Sequence, residues 1–175
     1  SGVSTVALGF GGGRAEARAA AQSSLARGFP AVSQAYMQGW AGYLDRLEHP
    51  FPKLPLYDES LAALKTHEDK TNYGAFVASL ATPWGQHVTD DNPRTKRGYR
   101  YVWARDLYHV ATALRLAGDQ QAARDTLAFM DERLQQADGS FPQTAFPNGE
   151  PNTSGMQVDQ TAAHRKLACI GYGIG

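Results

Sequence analysis

Residues 103–118 read WARDLYHVATALRLAG. The apolar positions of this stretch recur three and four residues apart: Leu107, Val110, Ala111 and Leu114. That spacing forms one apolar face of an amphipathic α-helix. Gly118 suits the position just after a helix, where a left-handed backbone is common. The stretch therefore predicts a helix from Trp103 to Ala117, and it favours a mainly α fold.

Further elements are predicted on both sides of this helix. Helical patterns cover about residues 14–27, 32–47, 58–80 and 119–136, and a last helix begins near residue 155. Asp58 and Asp119 are expected to be N-caps, because a short carboxylate accepts the first free backbone N–H groups. Long loops over 82–98 and 140–154 alternate with short turns, as in antiparallel helical hairpins with a functional end. Alternation over Val6–Phe10 predicts a strand that has no partner nearby in the sequence.

Composition excludes several classes of protein. The chain has 175 residues, with 17 Lys+Arg and 17 Asp+Glu, so its net charge is zero. A neutral chain is not typical of proteins that bind nucleic acid or anionic membranes, and no apolar run approaches the roughly 20 residues of a spanning helix. The single Cys169 excludes an internal disulfide and a Cys-based zinc site. We expect no cofactor, and residues 1–10 lack the features of a signal peptide.

The densest chemical cluster is at residues 99–106, which read YRYVWARD. Aromatic faces suit the apolar faces of sugar rings, while Arg and Asp supply donors and acceptors for hydroxyl groups. A structural interpretation is also open: Asp106 as a first-turn charge, Trp103 as a core residue and Arg105 as a solvated neighbour. Spacing alone favours that structural interpretation.

Four motifs in a fixed order favour the sugar-binding interpretation, because together they resemble a known family. They are residues 74–85 (GAFVASLATPWG), 99–106, 138–143 (DGSFPQ) and 155–160 (GMQVDQ). Together they resemble the bacterial glucoamylases and glucodextranases of glycoside hydrolase family 15. The resemblance covers about residues 8–162 and implies the N-terminal part of the catalytic region.

The family implies an (α/α)6 barrel preceded by a β-sandwich and a helical linker. By resemblance, residues 1–13 would end that sandwich, with its last strand, and residues 14–56 would be the linker. Residues 57–162 would form the first helices of a partial barrel. Residues 163–175 depart from the apolar helix of the family, and we hypothesise that this tail is non-native. The truncated barrel is expected to self-associate.

The family also implies a function, that of an inverting, exo-acting α-glucoside hydrolase that releases glucose from non-reducing ends. The residues expected to bind substrate are Tyr99, Trp103, Arg105, Asp106, Trp84, Gln157 and Asp159. Neither the catalytic acid nor the base is assigned, since no Glu here lies in a matching motif, and we expect the chain alone to be inactive. No metal site is expected here, although calcium is compatible with the full-length protein.

The resemblance leaves other properties open. Relatives carry a Trp before the Gln-x-Asp motif, where this chain has residues 152–154 (NTS), so one sugar-contacting aromatic is expected to be missing. The full-length parent is expected to be extracellular or periplasmic. The alternatives are a non-catalytic helical protein that binds a carbohydrate or partner, and a glycosyl phosphorylase on a related barrel.

Overall fold

The computed structural model describes residues 2–50, 54–80 and 99–171. Its elements in chain order are α1 (Arg14–Arg27), α2 (Phe29–Leu44), α3 (Tyr57–Thr66), α4 (Ala104–Leu116), α5 (Gln120–Phe129), β1 (Pro142–Ala145), β2 (Pro151–Met156) and α6 (Val158–Gly171). A π-helical turn, Met130–Leu134, continues α5. The chain divides into two compact units, Ser1–Arg46 and Leu47–Gly175. The mainly α fold predicted from the sequence is confirmed, whereas the domain boundaries at residues 13, 56 and 162 stay predictions.

The first unit contains α1 and α2. Gly28 separates the two helices with φ 80°, a left-handed value that glycine adopts without strain. The strand predicted over Val6–Phe10 is not formed within the described residues. Val6, Leu8 and Phe10 are 86%, 81% and 83% exposed. The physical reason is that alternation alone does not make a strand, which needs a hydrogen-bonded neighbour.

The core of the second unit lies between α4, α5 and α6. The predicted stripe of α4 is buried, with Leu107, Ala111 and Leu114 each 0% exposed. As predicted, the Asp119 carboxylate caps α5 by accepting the Ala122 N–H at 3.0 Å. Gly118, before it, has φ 94°. Local signals therefore located these two helices to within a few residues.

The helix predicted from Asp58 to Leu80 is much shorter in the structure. α3 begins at Tyr57 and ends at Thr66, and Asp58 lies inside its first turn rather than at its N-cap. Beyond the helix, the Asp69 carboxylate accepts the backbone N–H groups of Thr71 and Asn72 and so stabilises a turn. This local satisfaction of backbone donors is one of the contacts that keep the segment after α3 out of a helix, despite its helical spacing of apolar residues.

The segment 140–154, predicted as a loop, contains a β-hairpin. β1 and β2 are antiparallel with an irregular register, in which Thr144 pairs with Thr153 and Ala145 with Pro151. Val102, just before α4, pairs in turn with Ala145. The hairpin therefore fixes the entry to α4. The loop predicted over 82–98 lies outside the described residues.

The last helix, α6, runs from Val158 to Gly171 and so extends well into the atypical tail. Leu167 is 0% exposed and Ala163 is 6% exposed, so this part of the tail packs into the core. The departure from the family's apolar helix therefore does not prevent a helix as far as Gly171. Within the described residues, no helix is both long and apolar enough to cross a membrane.

Candidate functional site

The N-terminus of α4 presents two charged side chains in its first turn. Arg105 and Asp106 follow Trp103, whose backbone is extended at φ −118° and ψ 132°. Val102 exchanges two backbone hydrogen bonds with Ala145 of β1, at 2.8 and 3.0 Å. The hairpin thus holds the start of α4, and the helix dipole there favours a carboxylate.

Arg105 joins this helix terminus to the start of α6. Its Nη1 donates to Asp159 Oδ2 at 2.6 Å and to Gln157 Oε1 at 3.4 Å. Its Nε lies 3.8 Å from Asp106 Oδ1. The hydrogen bond from Arg105 holds the pKa of Asp159 below its ordinary value, and the same bond raises the pKa of Arg105. The guanidinium therefore stays charged and oriented between two acidic side chains.

Asp106 lies in a different environment from Asp159. Burial raises the pKa of Asp106, while the charges of Arg105 and His109 act to lower it. The carboxyl lines a groove of about 410 Å³ together with Tyr99 and His109, and much of the remaining wall is apolar, formed by residues 76–78 after α3 with Leu64 of α3 and Val110 of α4. A half-buried carboxyl in a largely apolar groove is suited to accept hydrogen bonds from a ligand's hydroxyl groups.

Aromatic rings surround the entry to α4. Tyr99 stacks on Trp103, with ring centroids 5.8 Å apart and planes at 27°. Tyr101 meets Trp103 edge-on at 6.5 Å and Phe146 edge-on at 5.4 Å. Tyr99 is 48% exposed, and aromatic rings suit flat apolar partners such as the faces of sugar rings. Phe146 joins this cluster from the hairpin turn, and the sequence reasoning missed it because no local pattern relates it to Tyr101.

The structure brings most of the predicted site residues together. Through the contacts above, one cluster contains Tyr99, Trp103, Arg105, Asp106, Gln157 and Asp159. Trp84 lies outside the described residues. The sugar-binding role of each residue stays a prediction. Over residues 2–50, 54–80 and 99–171, no group of three or more His, Cys, Asp or Glu side chains could hold a metal ion.

Family comparisons give this cluster a context. Residues 52–163 match the model of glycosyl hydrolases family 15, and residues 1–45 match that of the glucodextranase N domain. The first match covers well over half of the chain, which therefore belongs to glycosyl hydrolases family 15. The match ends at residue 163, at the start of the atypical tail. The proposed non-native origin of that tail stays a prediction.

Individual relatives agree with the family. A glucoamylase of Clostridium sp. (strain G0005) is 38% identical over 158 residues, which are 90% of this chain and 22% of that protein. An uncharacterized glycosyl hydrolase of Methanocaldococcus jannaschii is 38% identical over 68 residues, 39% of this chain and 11% of that protein. The crystal structure of a bacterial glucoamylase complexed with acarbose superposes with a TM-score of 0.81 and 35% identity.

The structural match covers 94% of this chain and 24% of the glucoamylase chain. The chain therefore spans about a quarter of the length of this glucoamylase and of the Clostridium glucoamylase. The resemblance drawn from four sequence motifs is confirmed at the level of the family. The similarity to a glucoamylase also agrees with the helical-barrel fold that the resemblance implied.

Proposed function

We propose that this chain supplies the subsite for the non-reducing-end glucose unit of a glucoamylase-like enzyme. The enzyme would be an inverting, exo-acting hydrolase of α-glucans. The observation that carries the proposal is the arrangement at the start of α4. There Arg105, oriented by Asp159 and Gln157, lies beside the half-buried Asp106 and next to the stacked Tyr99 and Trp103.

Each part of this cluster matches a need of sugar recognition. A terminal glucose unit offers hydroxyl groups that both donate and accept hydrogen bonds, and ring faces that are largely apolar. The Asp106 carboxylate can accept from hydroxyl groups, and the N–H groups of Arg105 can donate to them. Charge-assisted hydrogen bonds of this kind are stronger than neutral ones. The half-exposed Tyr99 would pack against one face of the sugar ring.

The catalytic acid and base would come from outside this chain. Inversion needs one carboxylic acid to protonate the leaving oxygen and a second carboxylate, about 6.5–9.5 Å away, to activate water. Among the described glutamates, Glu68 is buried and bound to Lys65 and the Gly74 N–H. Glu59, Glu132 and Glu150 are exposed. None lies in a motif of the family's acid or base, so we assign neither role here.

The proposal is tested in the full-length enzyme by kinetics on maltose and longer α-glucans. Arg105→Ala is expected to lower kcat/KM by about 10-fold to 100-fold, because a hydrogen bond to a charged group contributes roughly 1.5–3 kcal/mol. The initial glucose anomer, followed by NMR, is expected to be β, as inversion of an α-linkage requires.

A matched control is Arg124→Ala on α5, since Arg124 is exposed and bonds only to Gln121 among the contacts described for it. It is expected to leave kcat/KM unchanged. A full-length protein that releases no glucose from any α-glucan would contradict the proposal. Sugar binding without hydrolysis would favour the non-catalytic alternative.

The 175-residue chain by itself is expected to release no glucose from starch, dextran or maltose. The reason is that it lacks an assigned acid and base. Pure chain is compared with its Trp103→Ala variant in a coupled glucose assay. Glucose release by the unmodified chain above that of the variant would show that a catalytic pair lies within these residues.

A further inference from the structure

Gln160 makes three side-chain hydrogen bonds next to the candidate subsite. Its side chain lies in the first turn of α6 and is 0% exposed. Oε1 accepts the backbone N–H of Ala104 at 2.8 Å. Nε2 donates to the backbone oxygen of Gln143 at 2.9 Å and to Gln157 Oε1 at 2.9 Å. One amide group thus uses an acceptor and both of its donor hydrogens.

These three contacts reach the elements that hold the subsite. Ala104 is the first residue of α4 and immediately precedes Arg105 and Asp106. Its N–H belongs to the first turn, where backbone donors have no partner inside the helix. Gln157 in turn accepts a hydrogen bond from Arg105. Gln160 therefore supports Arg105 from two directions, through the helix backbone and through the neighbouring side chain.

We propose that Gln160 is a positioning residue for the glucose subsite, which holds Arg105 and Gln157 in the geometry that binds the terminal sugar. Its complete burial keeps it from touching the sugar itself. The inference rests on the proposed function for the identity of the ligand. The hydrogen bonds that carry it are independent of that function.

The three bonds explain why an amide suits this position. A methionine would fill a similar volume, but it would leave the Ala104 N–H and the Gln143 oxygen without their buried partner. A glutamate would keep an oxygen for the Ala104 N–H, yet its ionised form cannot donate to Gln143 or Gln157. The effect on the subsite is therefore expected to be large for methionine and intermediate for glutamate.

The test compares Gln160→Met, Gln160→Glu and a control, Thr126→Val, in the full-length enzyme. Thr126 is also 0% exposed and bonds through Oγ1 to the Ala122 oxygen, on α5. Well below the melting temperature, Gln160→Met is expected to lower kcat/KM by about 10-fold to 100-fold, since small displacements of binding groups have effects of that size. Gln160→Glu recovers part of the loss, and Thr126→Val leaves kcat/KM unchanged.

Two results would overturn the inference. The first is a Gln160→Met enzyme with the kcat/KM of the wild type. The second is a Thr126→Val enzyme with the same loss, which would assign both residues a general role in stability. If Gln160→Met does not fold, kcat/KM of Gln160→Glu is compared with that of Thr126→Val instead. Equal values for these two variants would then overturn the inference.

A second measurement separates this inference from the proposed function. If the wild-type enzyme releases no glucose, the proposed function fails, and the variants are then compared by NMR. Gln160→Met is expected to shift the Arg105 Nε–H resonance and to speed hydrogen exchange at the Ala104 amide, whereas Thr126→Val changes neither. An unchanged Arg105 resonance in Gln160→Met would show that Gln160 does not position that side chain.

Discussion

Asp106 and Asp159 lie beside the same arginine, yet their pKa values shift in opposite directions. Asp159 accepts a 2.6 Å hydrogen bond from Arg105, and that bond lowers its pKa. Asp106 lies 3.8 Å from the same guanidinium but is more buried, and desolvation raises its pKa. The folded state therefore binds the Asp106 proton more tightly than the unfolded chain does. Ionised Asp106 is therefore held at a cost in stability.

The pH dependence of stability follows from these directions. A carboxyl whose pKa is raised in the folded state stabilises that state least when it is ionised. Its contribution to stability therefore falls as the pH rises from the pKa of the unfolded chain through the higher pKa of the folded state. Asp106→Asn is therefore expected to melt at or above the wild-type temperature at neutral pH, with the difference vanishing in acid. Calorimetry or circular dichroism between about pH 3 and about pH 7 measures this.

Asp138 provides a control, because its pKa is shifted in the opposite direction from that of Asp106. Hydrogen bonds from the Ser140 hydroxyl and N–H lower the pKa of this exposed carboxyl. Its stabilising effect is present at neutral pH and is lost as pH falls through the folded pKa, so Asp138→Asn should lower the melting temperature only at the higher pH. An Asp106→Asn variant that melts below the wild type at neutral pH would contradict the assigned cost of burial.

The segment that follows α3, residues 67–80, packs closely against α5 at one glycine. Gly74 has φ 82°, and a Cβ built there would lie 2.2 Å from the Asp125 carbonyl oxygen of α5. The Glu68 carboxylate accepts its N–H at 3.2 Å, and Glu68 also pairs with Phe76 across a β-bridge. Tertiary contact with α5 therefore replaces the helix that the apolar spacing predicted.

Two glycine substitutions separate backbone strain from steric contact. Gly139 also has a left-handed φ, 81°, but nothing lies within 4 Å of a Cβ there. Gly139→Ala is expected to cost about 1–2 kcal/mol of unfolding free energy from the backbone conformation alone. Gly74→Ala should cost clearly more, because the methyl group must also displace α5. Equal losses in denaturant unfolding would show that the Asp125 contact adds nothing.

At the scale of the whole molecule, the chain is a member of a barrel family that covers about a quarter of its longer relatives. Several large apolar side chains are exposed in the described residues, including Leu116 at 66% and Val158 at 77%. If the chain is a partial barrel, as the family resemblance implies, such faces would lack the helices that cover them in a whole barrel. Exposed apolar surface of this kind promotes association.

The 175-residue chain is therefore expected to self-associate at micromolar concentration or above. Sedimentation velocity over a dilution series measures this, and Leu116→Gln should shift the equilibrium toward monomer. Gln120→Asn, an exposed polar change near the same end of α4, should leave it unchanged. A monomer that melts cooperatively at all concentrations would favour a self-contained helical protein instead.

The amino-acid sequence by itself determined the elements whose signals are local. The α4 stripe, Gly118 and the Asp119 cap lie within a few residues of the boundaries they set, so periodicity and capping chemistry were sufficient. Four ordered motifs were sufficient for the family as well, because each is a local pattern of residue types. The cluster at residues 99–106 was likewise visible from its composition.

Tertiary structure alone decided the features that depend on distant partners. Arg105 meets Asp159 across 54 positions of sequence, and Gln160 meets Ala104 across 56. Neither the pairing of Val102 with Ala145 nor the raised pKa of Asp106 has a local signal. The physical reason is that hydrogen bonding and desolvation depend on which atoms are close in space, and the short-range patterns that predict helices carry no such distances.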